Sequence, residues 1–408
     1  MKKITTKYAL YALAIVSVCL AACNKKNDNE LLTNIPAERK DVSQAQVLQA
    51  SNITADLTLS DRVNGVDYVI PSTLTVTSGT LNIQPGVTLM FEEGAGILVK
   101  EEGSITAIGG EGNTILFTSR SGKRGSWSGI TVLSNSTRNA LSYCTIEQAG
   151  ATTNYGSADV VVGAANNPAS ISIDHSTIAT SDADGIWLSN GSQLRNFESN
   201  TFATNTGYPV TMYLSGLNAL QPGNTFSNNG KHYIQLLGSN NQELSAITFR
   251  KMEIAYCLSG SFITSGDITI NKGCMLYMNE GASWVYDGAE TNGTFTAVGT
   301  ESEPITISGV YSPSGYWNSI SFKSNGSQAC TLENCNLIGG GVGSEGKGIV
   351  NIMNNAGGVQ LSITKCKFMN SGSNGIFIQH AGAGYNADLA TTNTFSGITG
   401  QNIRFENQ

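Results

Sequence analysis

The chain repeats itself, and that limits its fold more than any other feature. Trp127 and Trp317 sit in matching contexts, Gly125-Ser126-Trp127-Ser128-Gly129-Ile130 and Gly315-Tyr316-Trp317-Asn318-Ser319-Ile320, at an offset of 190. The same offset carries Ile105-Thr106-Ala107-Ile108-Gly109 onto Phe295-Thr296-Ala297-Val298-Gly299, Ile171-Ser172-Ile173 onto Leu361-Ser362-Ile363, and Gly185-Ile186 onto Gly375-Ile376. A shift of 187 to 191 aligns Gly86 with Gly273 and Leu141-Ser142-Tyr143-Cys144 with Leu332-Glu333-Asn334-Cys335. Two copies of one long module, about 60–243 and 244–408, therefore make up most of the 408 residues.

A shorter period runs inside each copy. Ile178, Phe202 and Phe226 are 24 apart, as are Ile186, Val210 and Ile234; Phe368 and Phe395, like Ile376 and Ile403, are 27 apart. Short alternating triplets fill these coils, among them Ile97-Leu98-Val99, Ile130-Thr131-Val132, Ile186-Trp187-Leu188 and Ile376-Phe377-Ile378. Side chains alternate across a strand, so the outer two residues point inward and the middle one outward. Gly, Asn, Ser and Thr lie between triplets and permit tight corners. No stretch after residue 60 shows sustained helical periodicity. A period in this range is the signature of a β-solenoid, in which coils stack at roughly 4.8 Å and inward positions form ladders. The Asn-Thr-Phe triplets at 200–202, 224–226 and 393–395 read as a recurring turn in which a buried Asn satisfies backbone groups.

The amino terminus carries a second signal. Lys2, Lys3 and Lys7 form a basic region, Tyr8 to Cys19 an apolar stretch too short to span a bilayer, and Leu20-Ala21-Ala22-Cys23 follows. That last run resembles the lipobox of bacterial lipoproteins, which implies a signal peptide at 1–22 and a diacylated Cys23. The polar residues after it read as a tether over 23–51, and multiple acyl chains anchor a protein to a leaflet.

Only 13% of residues are charged and Gly numbers 46, which suits strands and turns rather than a helical enzyme. Loss of the three leader lysines takes the formal charge from −7 to −10. An acidic surface argues against nucleic acid as a partner. Six cysteines remain besides Cys19 and Cys23: Cys144, Cys257, Cys274, Cys330, Cys335 and Cys366. There is no CxxC pair and His numbers three, so no metal site is expected. These cysteines read as small apolar core residues; Cys330–Cys335 is the pair with the best case for a disulfide. Trp127 and Trp317 read as packing residues, because both copies keep them.

The run Leu81-Asn82-Ile83-Gln84-Pro85-Gly86-Val87-Thr88-Leu89-Met90-Phe91, with the tryptophan segments and Leu141-Ser142-Tyr143-Cys144-Thr145-Ile146-Glu147, resembles the right-handed parallel β-helix repeat lipoproteins of Gram-negative bacteria, within the pectate-lyase-like superfamily. The resemblance covers residues 52 to 408. It implies an all-β, single-stranded right-handed parallel β-helix. That superfamily includes lyases, hydrolases, epimerases, adhesins and members without activity, so fold alone does not give function. The polygalacturonase-like segments are absent. Ile173-Asp174-His175 is a two-residue match to a lyase-like motif, and its duplicate reads Ile363-Thr364-Lys365.

Coil stacking supplies the candidate site. At a period of 24, Asp184, Tyr208 and His232 occupy equivalent positions of consecutive coils, beside Trp187, Thr211 and Gln235 at an outward position. Acid, phenol and imidazole one coil apart are candidate catalytic groups for proton transfer on a uronate. Trp187, Asp182 and Gln235 are candidate binding residues, the indole stacking on a sugar face. Two functions follow as expectations. One is a lipoprotein of the outer membrane, on its periplasmic or cell-surface side, that binds glycans or host or matrix ligands along its lateral face without catalysis or cofactor. The alternative is a polysaccharide lyase or glycoside hydrolase, with Ca²⁺ a cofactor only for a lyase.

Overall fold

The computed structural model describes residues 37–49, 51–239, 243–288, 291–311, 313–324, 329–342, 347–353, 360–380 and 382–406. The expected signal peptide, Cys23, the first part of the tether and the loop residues Asn240, Asn241 and Gln242 lie outside them. The rest is a parallel β-helix. Strands of mostly three to five residues wind into coils, and each pairs in parallel with the strand one coil away. The expected ladders are present: Ile178, Phe202 and Phe226 are in register, as are Ile186, Val210 and Ile234, and Phe368 and Phe395. Phe202 stacks on Phe226 at 5.5 Å and Phe368 on Phe395 at 5.1 Å.

The faces do not run straight through the duplication. In the first copy each coil visits face A (Gln46–Val47 to Thr225–Ser227), face B (starting at Asn52–Ile53) and face C (Leu57–Leu59 to Gln193–Glu198). In the second copy each coil visits face B again (ending at Thr394–Ile398), then face E (Ser261–Thr264 to Ile403–Phe405) and face D (Ile247–Phe249 to Leu361–Thr364). Face B is one sheet of 14 strands, unbroken where Tyr233–Leu237 pairs with Ala255–Ser259. The duplicates nevertheless sit on different faces. Ile115–Ser119 belongs to face A, but its counterpart Ile305–Gly309 belongs to face B; Ile130–Val132 is on face B and Ile320–Ser324 on face E. The second copy is turned by one face. The slip occurs where the 3-10 helix Leu214–Ala219 replaces a face C strand and face A ends. Asn218 joins that helix to face D, accepting from the Thr248 N–H at 2.9 Å and donating to the Ala246 carbonyl at 2.6 Å.

Left-handed residues turn the corners. In the first copy Tyr143, His175 and Ser199 turn one corner, and Gln148, Thr180, Thr204 and Asn228 the next, all at φ between 47° and 68°. Two asparagine ladders support these turns. Asn200 Oδ1 accepts from the Ser176 N–H and Asn224 Oδ1 from the Asn200 N–H, each at 3.0 Å, while Asn200 Nδ2 donates to the Ile173 carbonyl at 2.9 Å. Asn205 and Asn229 repeat the pattern at the next corner, and Asn393 in the second copy.

Trp127 and Trp317 are fully buried and make equivalent bonds, Nε1 donating to the Glu147 carbonyl at 2.9 Å and to the Ile338 carbonyl at 2.8 Å. All six described cysteines are free and buried. Cys330–Cys335 is not a bridge: Cys330 Sγ accepts from the Phe295 N–H inside face D, whereas Cys335 lies in face B beside Cys366. The segment expected as tether up to residue 51 is in part folded. Ala37–Lys40 form a 3-10 turn and Gln46–Val47 add a strand to face A. Arg39 donates to the Gly86 and Thr114 carbonyls, both at 2.9 Å, and Lys40 pairs with the buried Glu147 at 2.8 Å. Basic side chains meeting acceptors at the wall turn this part of the polar run into a strap.

Candidate functional site

Face B carries the site. One register column of this face runs Trp187, Thr211, Gln235, Cys257, Tyr277 and Ser308, one residue per coil, with Thr211, Cys257 and Ser308 buried. Trp187 is half-buried, with the backbone of Gly156 against its indole. On the amino-terminal side, residues 151–155 line an open cleft of about 390 Å³ together with Leu98 and Thr131. On the carboxy-terminal side lies a cluster of tyrosines. Tyr233 and Tyr277 meet edge to face at 5.4 Å, and Tyr311 and Tyr316 at 5.6 Å. Tyr208, Tyr233, Tyr277 and Tyr316 are half-buried and Tyr311 is 66% exposed, so ring surface is open to solvent across several coils.

A line of hydrogen-bonding groups threads these rings. The Thr211 hydroxyl donates to Asp184 Oδ2 at 2.6 Å and lies 3.1 Å from Gln235 Oε1. Gln235 Nε2 and Asn279 Nδ2 converge on the Ser259 hydroxyl at 3.5 and 3.3 Å, and the Tyr316 hydroxyl donates to Asn279 Oδ1 at 3.3 Å. Thr211 is buried, whereas Gln235, Ser259 and Asn279 are half-buried between the rings.

The expected residues fare differently. Asp184, Tyr208 and His232 do stack one coil apart, and Trp187, Thr211 and Gln235 do share a column. Asp184, however, is engaged by the framework: Oδ1 accepts the Tyr208 N–H at 2.8 Å and Oδ2 the Thr211 hydroxyl. Burial raises its pKa, against those two bonds. The Tyr208 phenol is pushed up to about 12 by burial, with Cys257 and Asp184 adding to the shift. His232 is exposed. Asp182 is exposed at the corner before face B, its side chain over Gly125, so it borders the site rather than lining it. Phe377, the duplicate of Trp187, lies on face E and is 1% exposed, so it offers no second platform. Each Asp184 oxygen accepts a bond from the protein, and among the described residues no three His, Cys, Asp or Glu side chains gather at one point.

Sequence reasoning missed the tyrosines. Leu276-Tyr277-Met278 is a triplet of the same form as Ile186-Trp187-Leu188, with its middle residue outward. The signal was present, but the coils from Gln235 to Ser308 advance by 22, 20 and 31 residues, which breaks the period of 24. Residues 51–171 match the family model of the pectate-lyase-like beta helix domain. No curated protein and no solved structure matches the chain. The wall that holds these rings is a parallel β-helix by its strand pairing, and residues 51–171 of the chain are similar to the pectate-lyase-like beta helix domain.

Proposed function

We propose that this protein is a lipoprotein anchored through Cys23 to the outer membrane, on its periplasmic or cell-surface side, and that face B binds a glycan or a glycosylated host or matrix ligand between Trp187 and Tyr311. The carrying observation is the open ring surface of Trp187 and the tyrosines interleaved with Thr211, Gln235, Ser259 and Asn279. The ligand is neutral or weakly charged, because the polar line consists of hydroxyls and amides with one carboxylate already engaged. Binding without turnover is the better reading, since both Asp184 oxygens accept from framework donors, the Tyr208 N–H and the Thr211 hydroxyl.

The test is binding of the purified protein to a panel of polysaccharides, with absorbance of unsaturated sugar followed in parallel. Affinity is expected to fall about fivefold in Trp187→Ala and in Tyr277→Ala, one stacked ring being worth about 1 kcal/mol. Release of unsaturated product, abolished by Tyr208→Phe or His232→Ala, would establish the lyase instead. Wild-type binding in both aromatic variants would place the ligand elsewhere.

A further inference from the structure

The corner between faces B and C in the first copy holds a cleft of about 820 Å³, apart from the face B site. Three successive coils build it. Glu101 and Glu102 follow Ile97–Val99, the loop 133–139 follows Ile130–Val132, and Asn167 follows Ala158–Val162. The loop is held from behind. Asn139 is fully buried, its Nδ2 donating to the Ser134 and Ser170 carbonyls at 3.0 and 3.1 Å and its Oδ1 accepting the Ile105 N–H at 3.1 Å. Arg195 donates to the Thr137 and Asn139 carbonyls at 3.0 and 2.6 Å. The backbone of this lip is thereby fixed, while the side chains of Thr137 and Arg138 stay exposed. Neither the supports nor the charges recur with the repeat. At the offset of 190, Asn292, Gln328, Ala329 and Tyr385 stand where the first copy has Glu102, Arg138, Asn139 and Arg195.

The charges in the cleft are complementary and unspent. Glu101 pairs with Lys100 at 3.1 Å. Glu102 and Arg138 line the same cleft, yet among the described residues neither the carboxylate nor the guanidinium makes a hydrogen bond or an ion pair. A molecule that carries both an ammonium and a carboxylate meets both needs. A guanidinium takes a carboxylate through two parallel N–H···O bonds, and a carboxylate accepts from an ammonium. The Thr137 hydroxyl supplies a neutral partner for a peptide bond, and Leu133, 8% exposed, a small apolar surface. The volume suits a molecule of several heavy-atom groups rather than a single ion.

We propose that this cleft binds a short peptide with free ends, its carboxylate on Arg138 and its ammonium on Glu102. The inference is independent of the glycan reading, whose residues lie on face B. The probe is trialanine, titrated with the purified protein at low salt and followed by NMR of the peptide. Its amino-terminally acetylated and carboxy-terminally amidated forms are titrated beside it. Free trialanine is expected to bind, and each blocked form to bind at least about tenfold more weakly, since each loses one charge-assisted contact. Arg138→Ala binds the free peptide and the amide alike, but still prefers a free amino end. Glu102→Gln binds the free and acetylated peptides alike, but still prefers a free carboxylate. The retained preference distinguishes a lost contact from a damaged fold. Trp187→Ala binds trialanine like wild type. No binding at about 10 mM peptide, blocked forms that bind like the free one, or variants that still discriminate the end they should have lost each overturn the proposal.

Discussion

Asp159 is fully buried on face B, where Oδ1 accepts the Ala149 N–H at 3.1 Å and, among the described residues, Oδ2 has no donor at ordinary hydrogen-bond distance. Burial holds its pKa well above the carboxylate range, and the nearby Glu147 adds to this; the Ala149 N–H, the Ser181 hydroxyl and Arg124 oppose it. A carboxyl whose folded pKa is raised stabilises the fold below its unfolded pKa and loses that contribution as the pH climbs through the folded value. Asp159→Asn is therefore expected to raise the melting temperature in mildly alkaline buffer, with little change near the unfolded carboxyl range; a melting series across pH checks this. The cysteines follow similar physics. Burial pushes the Cys274 thiol up to about 12 and Cys330 up to about 11, and all six described thiols are inside. The thiolate is the reactive form, so native protein is expected to leave these six unlabelled by a maleimide at neutral pH and to label them after denaturation.

At the scale of elements, the corners matter as much as the strands. Asn200 holds the Ser176 N–H and the Ile173 carbonyl. Asn200→Ala strands both buried groups and is expected to cost roughly 2–5 kcal/mol, read as a shift in the denaturant midpoint. The Asn-Thr-Phe triplets made this element legible, because an asparagine at coil spacing before an inward aromatic has few other uses. The strap was not legible. Nothing local in Arg39-Lys40 shows that Glu147, more than a hundred residues away, awaits the lysine. Lys40→Ala is expected to destabilise by about 2 kcal/mol, since the buried Glu147 carboxylate then loses one of its partners. Equal stability of wild type and Lys40→Ala would show that the contact is incidental.

For the molecule as a whole, the repeat of apolar triplets was enough to establish a parallel solenoid, because one coil cannot bury its own inward face. It also set the register of Trp187, Thr211 and Gln235. It failed where coil length varies, so Tyr277 and Tyr311 went unnoticed. It failed again at the turn between the copies, where the sequence offset is regular but the path drops face A and gains face E. A duplication that keeps its faces aligned doubles whatever a face displays. One that slips by a face lengthens the wall and leaves the display single: Trp187 looks outward while Phe377 is covered. If face B binds a glycan as proposed, the described residues offer one such display per chain, and tight binding to a repetitive polymer would then need many chains acting together.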